Sequence, residues 1–229
     1  RDPEEQVSTM SDAVPLKILG ICGSLRKASN NAMALKAAGE LMPAGMVLET
    51  ADISVLPHYH DDVRIKGYPA TAQHFRDQIA AADAVLFATP EYNFSVPGVL
   101  KNAVDWASRP PDQPCNGKPC AIIGAASGLL GSARAQYHLR QIVGAVNMLA
   151  VNKPEVFITF APTKFDDAGR LIDQGARDLI AQLMVALRDW TLRLRRRPAA
   201  AARGNHHARV FCSTALINGL NELVLSYYE

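Results

Sequence analysis

The segment Gly23-Ser24-Leu25-Arg26-Lys27-Ala28-Ser29-Asn30-Asn31 sits between a short apolar run and a helical pattern. It brings the hydroxyls of Ser24 and Ser29, the amide of Asn31 and the guanidinium of Arg26 together with the free N–H groups of a helix N-terminus. That combination suits a phosphate. The segment holds neither GxxxxGK followed by Ser or Thr nor GxGxxG, so a nucleoside triphosphatase or a dinucleotide fingerprint is poorly supported. A plain helix cap would use one hydroxyl; it has no need of Arg26.

A second segment, Pro90-Glu91-Tyr92-Asn93-Phe94-Ser95-Val96-Pro97-Gly98, sets two apolar rings among prolines, an amide and main-chain donors. It could wall a flat heteroaromatic ring and read its polar edge, or be a tight turn with Phe94 in the core. A third, Ala125-Ala126-Ser127-Gly128-Leu129-Leu130-Gly131-Ser132, is glycine-rich enough for backbone amides to approach a ligand, or is equally well a plain glycine-rich turn. A phosphate pocket and a planar-ring pocket on one sheet edge are what FMN requires of a doubly wound sheet.

These segments must share an edge for that reading to hold. Apolar runs at Leu16–Cys22, Val47–Asp52, Ala84–Thr89, Ala121–Gly124 and Glu155–Phe160 read as strands. Helical patterns span Asn31–Leu41, Ala70–Ala82, Val96–Ser108, Ala133–Val143 and Asp173–Arg195. Five strands alternating with helices predict a parallel sheet covered on both faces, with ligands beyond the carboxyl ends of the strands.

The chain has 229 residues, 48% of them hydrophobic, enough for one substantial core without metal or disulfide staples. Its net charge of +2 argues against a nucleic-acid protein built on a broad cationic face. The arginines from Arg193 to Arg197 read as an exposed helix end. Four cysteines, Cys22, Cys115, Cys120 and Cys212, form no CxxC, which suggests a reducing compartment and a cytoplasmic protein without zinc. His58, His60 and Asp61 read as a solvated loop. No apolar run approaches the roughly 18–20 residues of a membrane span. Residues 1–14 are expected to be a disordered or vector-derived extension, 15–197 the folded domain, and 198–229 a tail of similar origin.

The stretches GSLRKASNN, PEYNFSVPGVLKNAVDW, and SARAQYHLRQIV followed by NKPEVF resemble the NADPH-dependent FMN reductase family, in its bacterial chromate and quinone reductase branch. The resemblance runs from about Leu16 to Leu194. It implies a flavodoxin-like three-layer α/β fold with a five-stranded parallel sheet of order 2-1-3-4-5. Bound FMN, with NADPH or NADH as co-substrate, would reduce quinones and other acceptors such as chromate by a ping-pong cycle. By motif position, Ser24, Arg26, Ser29 and Asn31 would hold the FMN phosphate. Pro90, Glu91, Tyr92 and Asn93 would border the isoalloxazine, with Ser127 and Gly128 contributing from the third segment. No protein nucleophile or metal is implied, since the flavin carries the hydride. Arg109 is a guess at a contact for an anionic acceptor, against the plainer role of a helix-end arginine. The family's dimers and homotetramers point to Arg134, Tyr137 and Glu155 as contacts between copies. The competing reading is a flavodoxin-like electron carrier or a redox-responsive FMN-binding protein.

Overall fold

Leu16 and Ile18 point to one side of the first strand and Leu19 and Ile21 to the other, and all four are buried, so β1 (Leu16–Cys22) is covered on both faces. The same holds for β3 (Ala84–Ala88) and β4 (Pro119–Ala125), every residue of which is buried. The computed structural model describes residues 14–195. The expectations for residues 1–14 and 198–229 therefore lie, Val14 apart, outside the described residues.

β2 (Met46–Ala51) pairs with β1, β1 with β3, β3 with β4, and β4 with β5 (Leu149–Ala150), all in parallel, in the order β2-β1-β3-β4-β5. Parallel neighbours need crossovers, and the helices supply them on two faces. α1 (Asn30–Glu40) and α6 (Gln174–Arg195) share a core with Ile18, Leu86 and Ile123 on one face. On the other, α3 (Ala70–Ala81), α4 (Gly98–Ala107) and α5 (Ala133–Ala145) pack over Ile21, Phe87 and Ile122. This is the flavodoxin-like three-layer α/β arrangement. No described helix is long and apolar enough to cross a membrane.

The fifth strand differs from expectation. Its place beside β4 is shared by the two residues of β5 and by β6 (Val156–Ile158), which pairs with Ile123 to Ala125 further along β4. Pro154, lacking an N–H, interrupts the run between them. A four-residue helix, α2 (Asp61–Arg64), replaces the expected loop, with the His60 ring accepting the Asp62 N–H at 3.2 Å.

Under α3, the guanidinium of Arg76, 4% exposed, ties the end of α4 to the 109–112 segment by donating to the carbonyls of Trp106, Arg109, Pro111 and Asp112.

Candidate functional site

The sheet ladder runs straight into the three motif segments. Gly23 N–H donates to Ala88 O at 2.8 Å, Thr89 N–H to Ile123 O at 3.0 Å, and Ala126 N–H to Ile158 O at 3.1 Å. Loop 1 (residues 23–29), loop 2 (89–97) and loop 3 (126–132) thus leave adjacent strands β1, β3 and β4 at one edge. Loops 1 and 2 flank the point where the strand order reverses. They are close: a Cβ on Gly23 would stand 3.3 Å from the Pro90 ring.

Loop 1 ends in a cap. Ser29 Oγ accepts from Asn31 N–H at 3.2 Å and Ala32 N–H at 3.3 Å. The first turn of α1 contains no acidic residue, and the side chains of Arg26 and Lys27 have no ion-pair partner among the described residues. Helix N-termini favour negative charge; this one is preceded by a loop that carries two cations instead. Asn31 stands apart from the other three loop 1 candidates. It is 3% exposed, and its amide is committed on both sides to Ala125, donating to the carbonyl and accepting the N–H at 2.9 Å each. It therefore ties the first turn of α1 to the start of loop 3.

Loop 2 closes on itself as a two-residue hairpin. Tyr92 and Ser95 exchange N–H···O bonds of 3.1 and 3.0 Å, and Asn93 and Phe94 take φ values of 50° and 68°, a type I′ turn. Asn tolerates the left-handed region. Phe does not, at roughly 1–3 kcal/mol. The loop is held from α5. Glu91 accepts from the N–H groups of Arg134 and Ala135 at 3.0 and 3.3 Å and pairs with the Arg134 guanidinium, which lies 3.5 Å over the Phe94 ring. One turn on, His138 Nδ1 and Ser95 Oγ are 2.9 Å apart.

Burial pushes the Glu91 carboxyl up, but the Arg134 side chain and the two N–H groups outweigh it and hold it below the usual carboxylate value. Glu91 therefore stabilises the fold at neutral pH, and the contribution is lost as pH falls from the unfolded value of about 4.3 through the lower folded one. Urea titrations between pH 3 and 7 should show a steeper acid loss of stability in the wild type than in Glu91→Gln; equal slopes would remove the pair from this role.

Loop 3 rests on Gly131, where a φ of 53° and a Cβ that would stand 2.9 Å from the Phe157 carbonyl carbon exclude a side chain. A Cβ on Gly128 would meet nothing within 4 Å, so its backbone faces open space. Ser127 and Gly128 lie in the same segment, and Gly128 O accepts the Phe160 N–H at 3.2 Å. All three loops expose large apolar side chains: Leu25, then Tyr92 and Phe94, then Leu129 and Leu130. The loop that carries Arg26 and Lys27 thus shares the sheet edge with two loops that expose apolar side chains.

The sequence profile of the NADPH-dependent FMN reductases matches residues 16–163. The chain belongs to that family. It is 56% identical over 186 residues to the NAD(P)H-dependent FMN reductase of Pseudomonas aeruginosa, a match that covers 81% of this chain and 100% of that one. The quinone reductase of Escherichia coli strain K12 is 42% identical over 183 residues, covering 79% and 97%. The flavoenzyme NAD(P)H:(acceptor) oxidoreductase FerB of Paracoccus denitrificans superposes with a TM-score of 0.72 at 34% identity, covering 78% of this chain and 98% of that one.

In this FMN reductase fold, Arg109 follows α4, about 15 Å of helix away from loop 2. Its guanidinium lies 5.1 Å from the Tyr59 ring, and it does not join the loop cluster. Of the residues expected between copies, Arg134 is engaged with Glu91 and Glu155 with Lys153 at 2.6 Å. Tyr137 is half exposed, its ring 6.3 Å from that of Phe157. Sequence reasoning missed that Arg134 and His138 hold loop 2. Their i, i+4 spacing on one helix was the available signal.

Proposed function

We propose that the protein is a cytoplasmic NAD(P)H oxidoreductase that works through FMN held by loops 1, 2 and 3 and passes electrons to quinones and oxyanion acceptors such as chromate. One contrast carries the reading. At the carboxyl edge of the sheet, the N-terminus of α5 already has its anion, the Glu91 carboxylate, whereas α1, two of whose N–H groups go to Ser29 Oγ, has no acidic residue in its first turn and follows a loop whose Arg26 and Lys27 have no ion-pair partner among the described residues. That donor set fits a phosphate monoester, and the open space beside Gly128 fits a ring.

Bound there, FMN supplies two-electron hydride chemistry. Arg26, Lys27 and the α1 N-terminus would neutralise its phosphate, with Ser24 and Ser29 orienting it. The Glu91–Arg134 and Ser95–His138 clips keep the Pro90–Asn93 wall in one place, so that orientation is set before substrate arrives. The Ser127–Gly128 backbone would offer N–H groups to balance negative charge on the reduced flavin. Because one crevice serves reductant and acceptor in turn, the kinetics are ping-pong. Contact between copies through the exposed Tyr137, giving a dimer or tetramer, belongs to the same reading.

Purified protein should release FMN on denaturation and give parallel double-reciprocal lines for NAD(P)H against a quinone. Arg26→Ala should weaken FMN about tenfold or more and leave riboflavin, which has no phosphate, unaffected. Absence of flavin and of NAD(P)H oxidation would reject the proposal; tight FMN without nicotinamide reactivity would make the protein an electron carrier.

A further inference from the structure

A cavity of about 840 Å³ lies between α1 and the C-terminal end of β2, and meets the end of β1 at Cys22 and loop 1 at Ser24 and Leu25. None of the loop 2 or loop 3 residues lines it. Its floor is apolar, made by Leu25, Leu35, Leu48 and Ile53. At its mouth, directly after β2, stands Asp52. One carboxylate oxygen, Oδ1, accepts the Ser54 N–H at 2.9 Å and the Ser54 hydroxyl at 2.6 Å, which fixes the group and holds it ionised. The other oxygen, Oδ2, accepts no hydrogen bond among the described residues. Of the charged residues that line the cavity, Lys36 and Glu40 sit one turn apart on α1 and offset each other, which leaves Asp52 as the net negative charge of the lining.

We propose that this cleft is an adenosine subsite that takes the far end of the nicotinamide dinucleotide and selects NADH over NADPH. A carboxylate at the end of the strand next to the phosphate loop accepts both hydroxyls of a ribose cis-diol, and the apolar floor takes the base. A 2′-phosphate there would remove one donor and set a dianion against Asp52. The volume lies within the range of small-molecule sites. The subsite rests on the reading of the crevice as a nicotinamide and flavin site. Its position at the loop 1 end leaves loops 2 and 3 to the reacting rings. The same chemistry would accept the adenosine of FAD, which an extra arm of the test separates.

The test uses FMN-loaded protein. Calorimetry should show adenosine 5′-monophosphate binding and adenosine 2′-monophosphate binding at least about tenfold more weakly, because a hydrogen bond to a charged group is lost. Asp52→Asn, which keeps an acceptor for Ser54, should weaken the 5′-monophosphate and raise KM for NADH by about tenfold with kcat unchanged, as loss of uniform binding does. Asp52→Arg should shift preference toward NADPH. Turnover with equal NADH and NADPH efficiencies that neither variant moves would overturn the subsite and leave the oxidoreductase intact. A variant that loses affinity for FAD while the NADH KM stays put would also overturn it, transferring the cleft to the flavin dinucleotide. A wild type inert to both nicotinamides but still binding the 5′-monophosphate through Asp52 would sink the reading beneath and keep the adenosine site.

Discussion

Gly124→Ala should lower stability by about 3 kcal/mol or more, and the melting temperature by roughly 10 °C, with loss of flavin retention. Gly124 lies on β4 where three loops begin. A methyl group there would stand 1.8 Å from Ser132 Oγ, 2.6 Å from the Thr89 carbonyl oxygen and 2.9 Å from Gln136 Nε2. Ser132 can rotate. Thr89 cannot: it is 0% exposed, its N–H is held by Ile123 O, and it opens loop 2. Gln136 is fixed as well, donating to Val156 O at 2.9 Å while its own Oε1 meets no donor among the described residues. Relief therefore comes by parting β3 from β4 at their carboxyl ends, which displaces the Pro90 wall from loop 3. Thermal melts with and without added FMN check this. An alanine variant within about 0.5 kcal/mol of wild type would mean that the junction is softer than the contacts imply.

Arg76→Met is expected to cost about 3 kcal/mol or more, because several carbonyls lose their donor together. The guanidinium serves Trp106 O at 3.0 Å, Arg109 O at 2.9 Å and Pro111 O at 2.5 Å, and lies 4.2 Å from the Tyr68 ring. No carboxylate pairs with it among the described residues; the dipole at the C-terminus of α4 and the loop carbonyls take that place. Methionine keeps the apolar stem and removes the fork. Lysine should rescue little, since one ammonium cannot span carbonyls arranged around a planar group. Urea unfolding should show a lower midpoint with unchanged m, and hydrogen exchange should rise first at residues 108–112. A full rescue by lysine would show that charge alone matters.

Much of the fold could be read along the chain because the relevant spacings are local. Leu16 to Cys22 and Ala84 to Ala88 are apolar on both faces, and only a strand inside a covered parallel sheet buries both. Boundaries slipped where a turn outranked periodicity. The helix expected from Val96 begins at Gly98, because Tyr92 to Ser95 close a hairpin and Pro97 provides the entry. No local rule asks for a left-handed Phe94; the cation of Arg134 and the clip at His138, both forty or more residues away, make it tolerable. The broken fifth strand likewise follows from what β4 has left to pair with.

The site divides in the same way. Residue types and their order determined that loops 1, 2 and 3 carry the polar and aromatic groups, that they follow the first, third and fourth strands, and that the chemistry belongs to a phosphate and a ring. Which atoms remain free to meet a ligand was decided only in three dimensions. Asn31 turns to Ala125, ninety-four residues away, Glu91 to the start of α5, and Arg109 is carried off by the length of α4. Asp52, plain in the sequence, acquires meaning from the hollow that α1 and β2 leave beside it. Periodicity and motif order act between near neighbours in the chain, whereas hydrogen-bond partners are chosen among groups that packing brings within about 3 Å.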